Sequence, residues 1–446
     1  MASHSHREGH QQSHDHEHGH SHAEEDMLSV EEAFQRIMAS FSPLEAEEVS
    51  LLDCLGQVLA EDIRSPLDLP PLSNSAMDGY AVLSADIQGA SPESPRNLEV
   101  IGLVAAGQVS NQTVVSGAAI RIMTGAPIPA GADAVVPFEE TDEVERRQAG
   151  RPLDQVAIYS SLPVGVNVRP AGEDVRRGQQ VLDAGTPVRP SEIGVMASLG
   201  LTSTRVIRRP VVSILATGDE LVASGRPLEE GKIFDSNSFS VAGSVVACGG
   251  IPRILGIARD NLEDLNNKLT EAAGSDLIVT SAGVSKGDYD IVKDVLTERG
   301  DMNFWSVRMR PAKPLAFGHL REDGGRSVPL LGLPGNPVST MVAFEMFARP
   351  AIRIMLGKRI LARPMVEGVL TAPIYNADGR RVYARVEVTR KDGMYYANPV
   401  GPQGSNILTS MSRANGLAIC PDDLPSQGAG EQVQIIMLDW NEEVDV

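Results

Sequence analysis

The chain has 446 residues, 42% of them hydrophobic, which is too long for one small domain and enough to bury several cores. Its formal charge of −20 argues against nucleic acid or an anionic membrane as a general partner, so any anionic substrate needs a local basic site. No apolar run approaches the roughly 20 residues of a membrane span, the polar N-terminus shows no signal peptide, and the scattered Cys54, Cys248 and Cys420 fit a reducing cytoplasm.

Residues 1–26 hold all but one of the histidines among acidic side chains, with almost nothing apolar, and predict a disordered tail. Alternating imidazoles at His14, His16, His18, His20 and His22 offer interchangeable ligand sets for Zn²⁺ or Ni²⁺; a passive solvated tail is the other reading. In "MLSVEEAFQRIMASF", Leu28, Ala33, Phe34, Ile37 and Phe41 fall near helical spacing and predict an amphipathic helix. The proline-rich "SPLDLPPL" then leads into "SNSAMDGYAV", where Asp-Gly marks a turn entering a strand. The turn is unusually crowded with small polar groups, and what Asp78 faces is open at this point. "NLEVIGLVAAGQ", "AAIRIMTGAPIP" and "ADAVVPFEET" predict short strands of a compact β-rich unit, and "GQQVLDAGTPVRPSEIGVMASLGL" reads as strand, turn and helix.

From 209 to about 355 the pattern alternates strands and helices. "PVVSILATGDEL", "IPRILGIARD", "SDLIVTSAGVSKGDYD" and "SVPLLGLPGNPVST" each carry an apolar strand into a polar or glycine-bearing turn. "NSFSVAGSVVACGG" and "NLEDLNNKLTEAA" are the intervening helices, the second with Asn261 at its start. Apolar strands separated by helices imply a parallel-rich sheet covered on both faces. Ligands bind such sheets beyond the carboxyl ends of the strands. That places 217–220, Asp260, 281–290 and 333–339 along one edge. After Lys358, "MVEGVLTAPI", "RRVYARVEVTR", "GMYYANPV" and "EQVQIIML" predict a small C-terminal β-domain.

The small residues of "SAGVSKG" and "LPGNPVST" let backbone N–H groups approach a phosphate, although either loop alone also fits a tight structural turn. Glu220, Asp260 and Asp290 share that edge. Clustered carboxylates repel unless a cation relieves them, and beside phosphate-cradling loops Mg²⁺ is the economical choice. Scattered solvated acids are the alternative. In "WSVRMRPAKPLAFG", Arg308, Arg310 and Lys313 concentrate positive charge against the overall balance. Guanidinium forks there suit a tetrahedral or phosphorylated anion, and the bland reading is a solvated strand edge.

In this order, "SNSAMDGYAV", "IMTGAPIPAGADAVV", "RPAGEDVRRGQ", "ATGDEL", "FDSN", "SAGVSKGDYD", "RPAKPLAFG" and "GLPGNPVS" resemble the molybdopterin molybdenumtransferases, relatives of the C-terminal domain of gephyrin. The resemblance spans about residues 27–446. It implies a multidomain α/β protein: a molybdopterin-binding-like three-layer α/β domain at 209–357 and a C-terminal β-barrel-like domain at 358–446. A β-rich domain at 73–164 would be inserted into a discontinuous N-terminal domain, 27–72 and 165–208. The implied activity is insertion of molybdenum from molybdate into adenylylated molybdopterin, with release of AMP assisted by Mg²⁺. It further implies a cytoplasmic homodimer whose site is shared between subunits, an upstream pterin adenylyltransferase and downstream molybdoenzyme maturation proteins, with no nucleic acid or membrane involved.

By motif, the resemblance assigns catalytic roles to Asp78, Thr124, Glu220, Asp260 and Asp290, with Glu220 and Asp290 toward Mg²⁺. Substrate would be bound by Gly218, Asp235, Asn237, Ser281, Gly283, Ser285, Asp288, Arg308, Arg310, Lys313, Pro334, Gly335, Asn336, Arg385 and Ser405. Asp288 offers a second acid beside Asp290. Ser306 stands where relatives often carry lysine, which leaves Arg308 or Lys313 to compensate. The rival functions are a pterin adenylyltransferase, which has no use for the two β-domains, and a gephyrin-like scaffold or metal-binding protein, which has no use for paired acidic and basic site residues.

Overall fold

The computed structural model describes residues 27–259, 261–282, 291–321 and 325–441. The chain forms two compact units, Glu48–Val206 and the remaining described residues.

The larger unit is built on a seven-stranded sheet in the order Met27–Leu28, Gly300–Val307, Pro314–Arg321, Ser327–Leu333, Leu277–Ser281, Val211–Thr217, Ile251–Ala258. The last four strands run parallel to one another. Gly300–Val307 and Pro314–Arg321 are antiparallel, because the short link between them permits only a hairpin. One face buries Val212, Ile214 and Val279 under helices that include Val30–Met38, Asn237–Cys248 and Pro337–Ala343. The other buries Leu215, Ile278 and Leu330 against Leu265 and Leu269 of helix Leu262–Glu271.

The amphipathic pattern at the start of the chain yields a helix shorter than its apolar spacing suggests. Ser29 Oγ accepts from Glu32 N at 3.1 Å while Ser29 N donates to Glu32 Oε2 at 3.2 Å. This capping box stops the helix at Val30. Met27–Leu28 are left to pair with Ser306 and Val307 as an edge strand. Ala33 and Ile37 are fully buried, and a buried Ile contributes about 1.5–3 kcal/mol. Asn261 caps its helix as its position suggests, its Oδ1 accepting from Asp264 N at 2.9 Å.

The C-terminal strands close into a barrel: Arg381–Lys391, Met394–Pro399, Met365–Leu370, Gln432–Met437 and Gly416–Cys420, which returns to Arg381–Lys391. Closure removes free sheet edges. Gly416–Cys420 escaped the sequence reading because almost all of it is buried, so no in–out alternation marks it as a strand.

The smaller unit carries a five-stranded sheet in the order Ala134–Pro137, Gly79–Val82, Ala118–Ile122, Arg96–Val104, Gln155–Ile158. A separate cluster packs Cys54, Leu59, Ile63, Val188 and Val206 against Met196 and Leu199 around helix Pro190–Ser198. Among the described residues, no helix is long and apolar enough to cross a membrane.

One ion pair anchors the larger unit where the chain re-enters it. Arg208 donates to both oxygens of the buried Asp276 at 2.6 and 2.7 Å, and Val211 N adds a third bond at 2.8 Å. Burial pushes the Asp276 carboxyl up, but the Arg208 and Val211 bonds outweigh it and leave the group below the usual carboxylate range. A depressed folded-state pKa stabilises fully above the unfolded value, about 3.9, and that stabilisation is lost as pH falls through the folded value. Asp276→Asn should therefore cost about 1.5–3 kcal/mol at pH 7, since Arg208 and Arg326 lose a charged acceptor while Arg208 keeps Glu45 at 2.6 Å. It should also flatten the loss of stability below pH 4. Denaturant titrations at pH 7 and pH 3 measure both, and an unchanged acid limb would remove Asp276 from the pH dependence.

Candidate functional site

Beyond the carboxyl ends of strands Val211–Thr217, Leu277–Ser281 and Ser327–Leu333 lies a cavity of about 950 Å³. Thr217, Glu220, Asp235, Asn237, Ser281, Pro334, Gly335 and Asn336 line it. Arg310, Lys313, Arg380, Gln403 and Ser405 line it too, so acids and bases share one space. The sequence pattern placed Thr217, Glu220, Ser281, Pro334, Gly335 and Asn336 at this edge, and the motifs of the resemblance named Asp235, Asn237, Arg310, Lys313 and Ser405.

Local backbone explains several of them. Gly218 has φ +142°, and a Cβ there would fall 2.4 Å from a carboxylate oxygen of Glu220. Only glycine leaves room for that carboxylate to lie over the turn. A Cβ on Gly335 would stand 3.2 Å from the Ala282 Cβ, so the loops after two neighbouring strands touch there. Asn237 Nδ2 donates to Gly335 O at 2.7 Å and fixes that loop. Its Oδ1 is buried without a partner among the described residues, an acceptor that a ligand donor would satisfy. Asp235 is spent locally, with Oδ1 accepting from Ser238 N at 3.0 Å.

The basic side depends on a long-range pairing. Met309–Arg310 runs parallel to Arg381 and Val382, which brings the start of the first barrel strand to the cavity. Arg380 comes with it, donating to Met309 O at 3.3 Å and pairing with Asp378. Arg380, Gln403 and Asn406 were missed in the sequence, where the one available signal was the basic cluster "GRR". Arg308 lies off the cavity, 4.0 Å from Asp422. Ser306 sits in its strand opposite Pro314 and does not line the cavity either. Lys313 does.

Arg385 is 1% exposed. Its guanidinium donates to Pro402 O, Gln403 O and Gly404 O at 3.0–3.2 Å, and thereby holds the loop that presents Ser405. Burial and the nearby Arg310 charge pull Arg385 down to about 10. With Arg310 and Gln403 it lines an adjoining pocket of about 180 Å³.

In the smaller unit, Asp78 and Thr124 meet. Asp78 Oδ1 accepts from Thr124 N at 2.6 Å and from Thr124 Oγ1 at 2.8 Å. These bonds hold the Asp78 carboxyl below the usual range. Ser75 Oγ accepts from Met77 N at 3.2 Å, which accounts for one of the small polar groups in the turn. Gly79 follows because a Cβ would stand 1.9 Å from Val136 O of the paired strand.

Asp260, Gly283, Ser285, Asp288 and Asp290 fall outside the described residues, as do His14, His16, His18, His20 and His22. Among the described residues no three His, Cys, Asp or Glu side chains cluster closely enough to hold a metal ion. Mg²⁺ takes only one or two protein carboxylates where substrate phosphates supply further ligands, so Glu220 in an open cavity fits it.

Three family models match the chain in order: the MoeA N-terminal region (domain I and II) over residues 28–200, a probable molybdopterin binding domain over 213–354, and the MoeA C-terminal region (domain IV) over 367–438. Molybdopterin molybdenumtransferase 2 of Mycobacterium tuberculosis H37Rv is 38% identical over 394 residues, covering 87% of this chain and 94% of that protein. The molybdopterin molybdenumtransferase of Bacillus subtilis 168 is 35% identical over 413 residues, covering 92% and 94%. A crystal structure of the molybdopterin biosynthesis moea protein from Pyrococcus horikosii is similar with a TM-score of 0.78 at 30% identity, covering 93% of this chain and all of that one.

Proposed function

The chain belongs to the molybdopterin molybdenumtransferases, transferases that insert molybdenum into molybdopterin, and from that premise we propose that its substrate is the adenylylated pterin, with molybdate as metal donor and AMP as the leaving product. The observation that carries this is the cavity of about 950 Å³ lined by Glu220 after one strand end and by Arg310, Lys313 and Arg380. A nucleotide-bearing anion needs cations, and cleaving its phosphoanhydride needs charge neutralisation at the bridging phosphates.

Mg²⁺, held by Glu220 and Asp290 with substrate oxygens, would supply that neutralisation. The chain's own groups do the rest. Arg310 and Lys313 bind oxyanions, with Ser405 donating beside them and Arg385 fixing its loop. Asn237 and Gly335 present a rigid cradle for the pterin phosphate side. Asp260, Gly283, Ser285 and Asp288 are given to the substrate by motif alone, and Gly218 and Asp235 shape the Glu220 side.

The working enzyme in this reading is a cytoplasmic homodimer, in which Asp78 and Thr124 of one subunit complete the site of the other. A pterin adenylyltransferase supplies its substrate, and molybdoenzyme maturation proteins receive its product. The histidine tail binds Zn²⁺ or Ni²⁺ weakly and stands apart from the chemistry.

Purified protein mixed with adenylylated molybdopterin, Mg²⁺ and molybdate should release AMP, and omitting Mg²⁺ should slow that release. Absence of AMP under these conditions would overturn the adenylylated substrate. A chain lacking residues 1–26 should release AMP at the wild-type rate while losing most Zn²⁺ binding by calorimetry; a rate that falls with the tail would bring it into the mechanism.

A further inference from the structure

Behind the turn that carries Asp78, the smaller unit buries a charged residue where an apolar one would fill the same space. Arg121, on strand Ala118–Ile122, is 9% exposed, with its guanidinium 5.4 Å from the Tyr80 ring centre and 5.5 Å from that of Phe138. Its Nε pairs with the buried Glu143 at 2.7 Å. Glu143 also pairs with Arg147 at 2.8 Å. Burial pushes the Glu143 carboxyl up, but bonds from Tyr80 and Arg121 outweigh it and keep the group ionised. Buried ion pairs of this kind add little to stability compared with well-packed apolar side chains, because desolvation cancels most of the attraction. Stability alone gives a weak reason for the arginine.

Its remaining bonds give a better one. Arg121 Nη1 donates to Gly79 O at 3.1 Å and to Ile122 O at 2.9 Å. Gly79 follows Asp78, and Ile122 stands two residues before Thr124. Phe138, whose ring covers the guanidinium, donates its N–H to Asp78 O at 3.1 Å. One planar side chain thus pins the strand ends from which both members of the Asp78–Thr124 pair project. The ends are register partners, Gly79 opposite Ile122, and the pairing of these two strands stops there. Beyond it Asp78 O is held by Phe138 N and Met123 N by Val104 O at 3.0 Å. Between the two tips themselves, among the described residues, only the Asp78–Thr124 bonds and the guanidinium remain. Lysine has three donors but on a single nitrogen, and so lacks the planar spread that sets Nε on Glu143 while Nη1 holds both carbonyls.

We propose that Arg121 is a positioning residue for molybdenum insertion, setting the separation and direction of the Asp78–Thr124 pair from behind. The inference rests on the reading that Asp78 takes part in the reaction.

The test is a double-mutant cycle in the full chain, read by AMP release under single-turnover and steady-state conditions. Arg121→Lys should lower kcat about tenfold or more while KM for the adenylylated pterin stays within about twofold, because misplacement of a reacting group costs rate rather than ground-state binding. On an Asp78→Ala background the same change should cost nothing further, since the group it positions is gone. Arg147→Gln removes the exposed partner of Glu143 but leaves Arg121 on both carbonyls, and should stay within about twofold of wild type. If Arg121→Lys does not fold, Phe138→Leu loosens the guanidinium while keeping the backbone bond to Asp78 O. It should lose about threefold in rate, again only when Asp78 is present.

Losses that add to Asp78→Ala, or an equal loss in Arg147→Gln, would overturn the inference and leave Arg121 as part of a structural cluster. Full activity in Asp78→Ala alone would instead sink the reading it rests on.

Discussion

Replacing Glu220 by glutamine is expected to slow AMP release about 100-fold while leaving thermal stability unchanged. The side chain is exposed at the cavity wall rather than packed, so the isosteric amide removes charge without opening a void. Surface substitutions of this kind change stability by about 0.5 kcal/mol or less. The rate should respond because a neutral amide holds Mg²⁺ poorly, and a metal that polarises a phosphoryl oxygen is worth several kcal/mol. About 2.7 kcal/mol corresponds to the expected 100-fold. Raising Mg²⁺ should recover part of the lost rate in Glu220→Gln, whereas Glu220→Ala should recover less. Wild-type turnover in a well-folded Glu220→Gln chain would take Glu220 out of the mechanism. Loss of rate with no sensitivity to Mg²⁺ would keep Glu220 and discard its role toward the metal.

The strand-end loops were legible because they combine two local signals. An apolar run of strand length reports a buried parallel strand, and glycine or a small polar residue directly after it reports a tight exit. Val211–Thr217 into Gly218 shows both, and Ser327–Leu333 reaches Gly335 one residue later, after Pro334. Glu220 could be placed because it lies within a few residues of such an exit, whereas Asn237 was reached only through the "FDSN" motif of the resemblance. Arg380 was reached by neither. It reaches the cavity only because Met309–Arg310 pairs with a strand some seventy residues away, and no local pattern encodes that partner. The barrel strand Gly416–Cys420 was hidden for a related reason, as burial on both faces erases alternation. Arg385 shows a third limit. Its motif marks it as a polar site position, whereas its burial and its bonds to three loop carbonyls make it the support of Ser405. Residue type suggests a charge for the ligand, and only the fold reveals where its donors go.

Co-expression of two chains whose AMP release is each reduced to a low but measurable rate tests the shared site directly. Asp78 lies in the smaller unit and Glu220 in the larger, and in the proposed dimer each site takes Asp78 from one subunit and Glu220 from the other. A two-fold axis makes the two sites equivalent in the wild type. Pair Asp78→Ala with Glu220→Ala under different tags. Each mixed dimer then holds one site with both defects and one with neither. Random pairing makes about half of all dimers mixed, so roughly a quarter of wild-type site activity should return in the unfractionated mixture, and about half in dimers purified through both tags. If each site were built within one chain, every site would carry one defect and the mixture would stay at the parents' background. Doubly tagged dimers that remain at the parents' rate would therefore end the shared-site proposal. The remaining account of the Asp78–Thr124 contact would be local, a side chain closing its own turn against the "MTG" loop. Recovery in the purified mixed dimer would mean instead that the carboxylate, already ionised by Thr124, serves a ligand bound by the neighbouring chain.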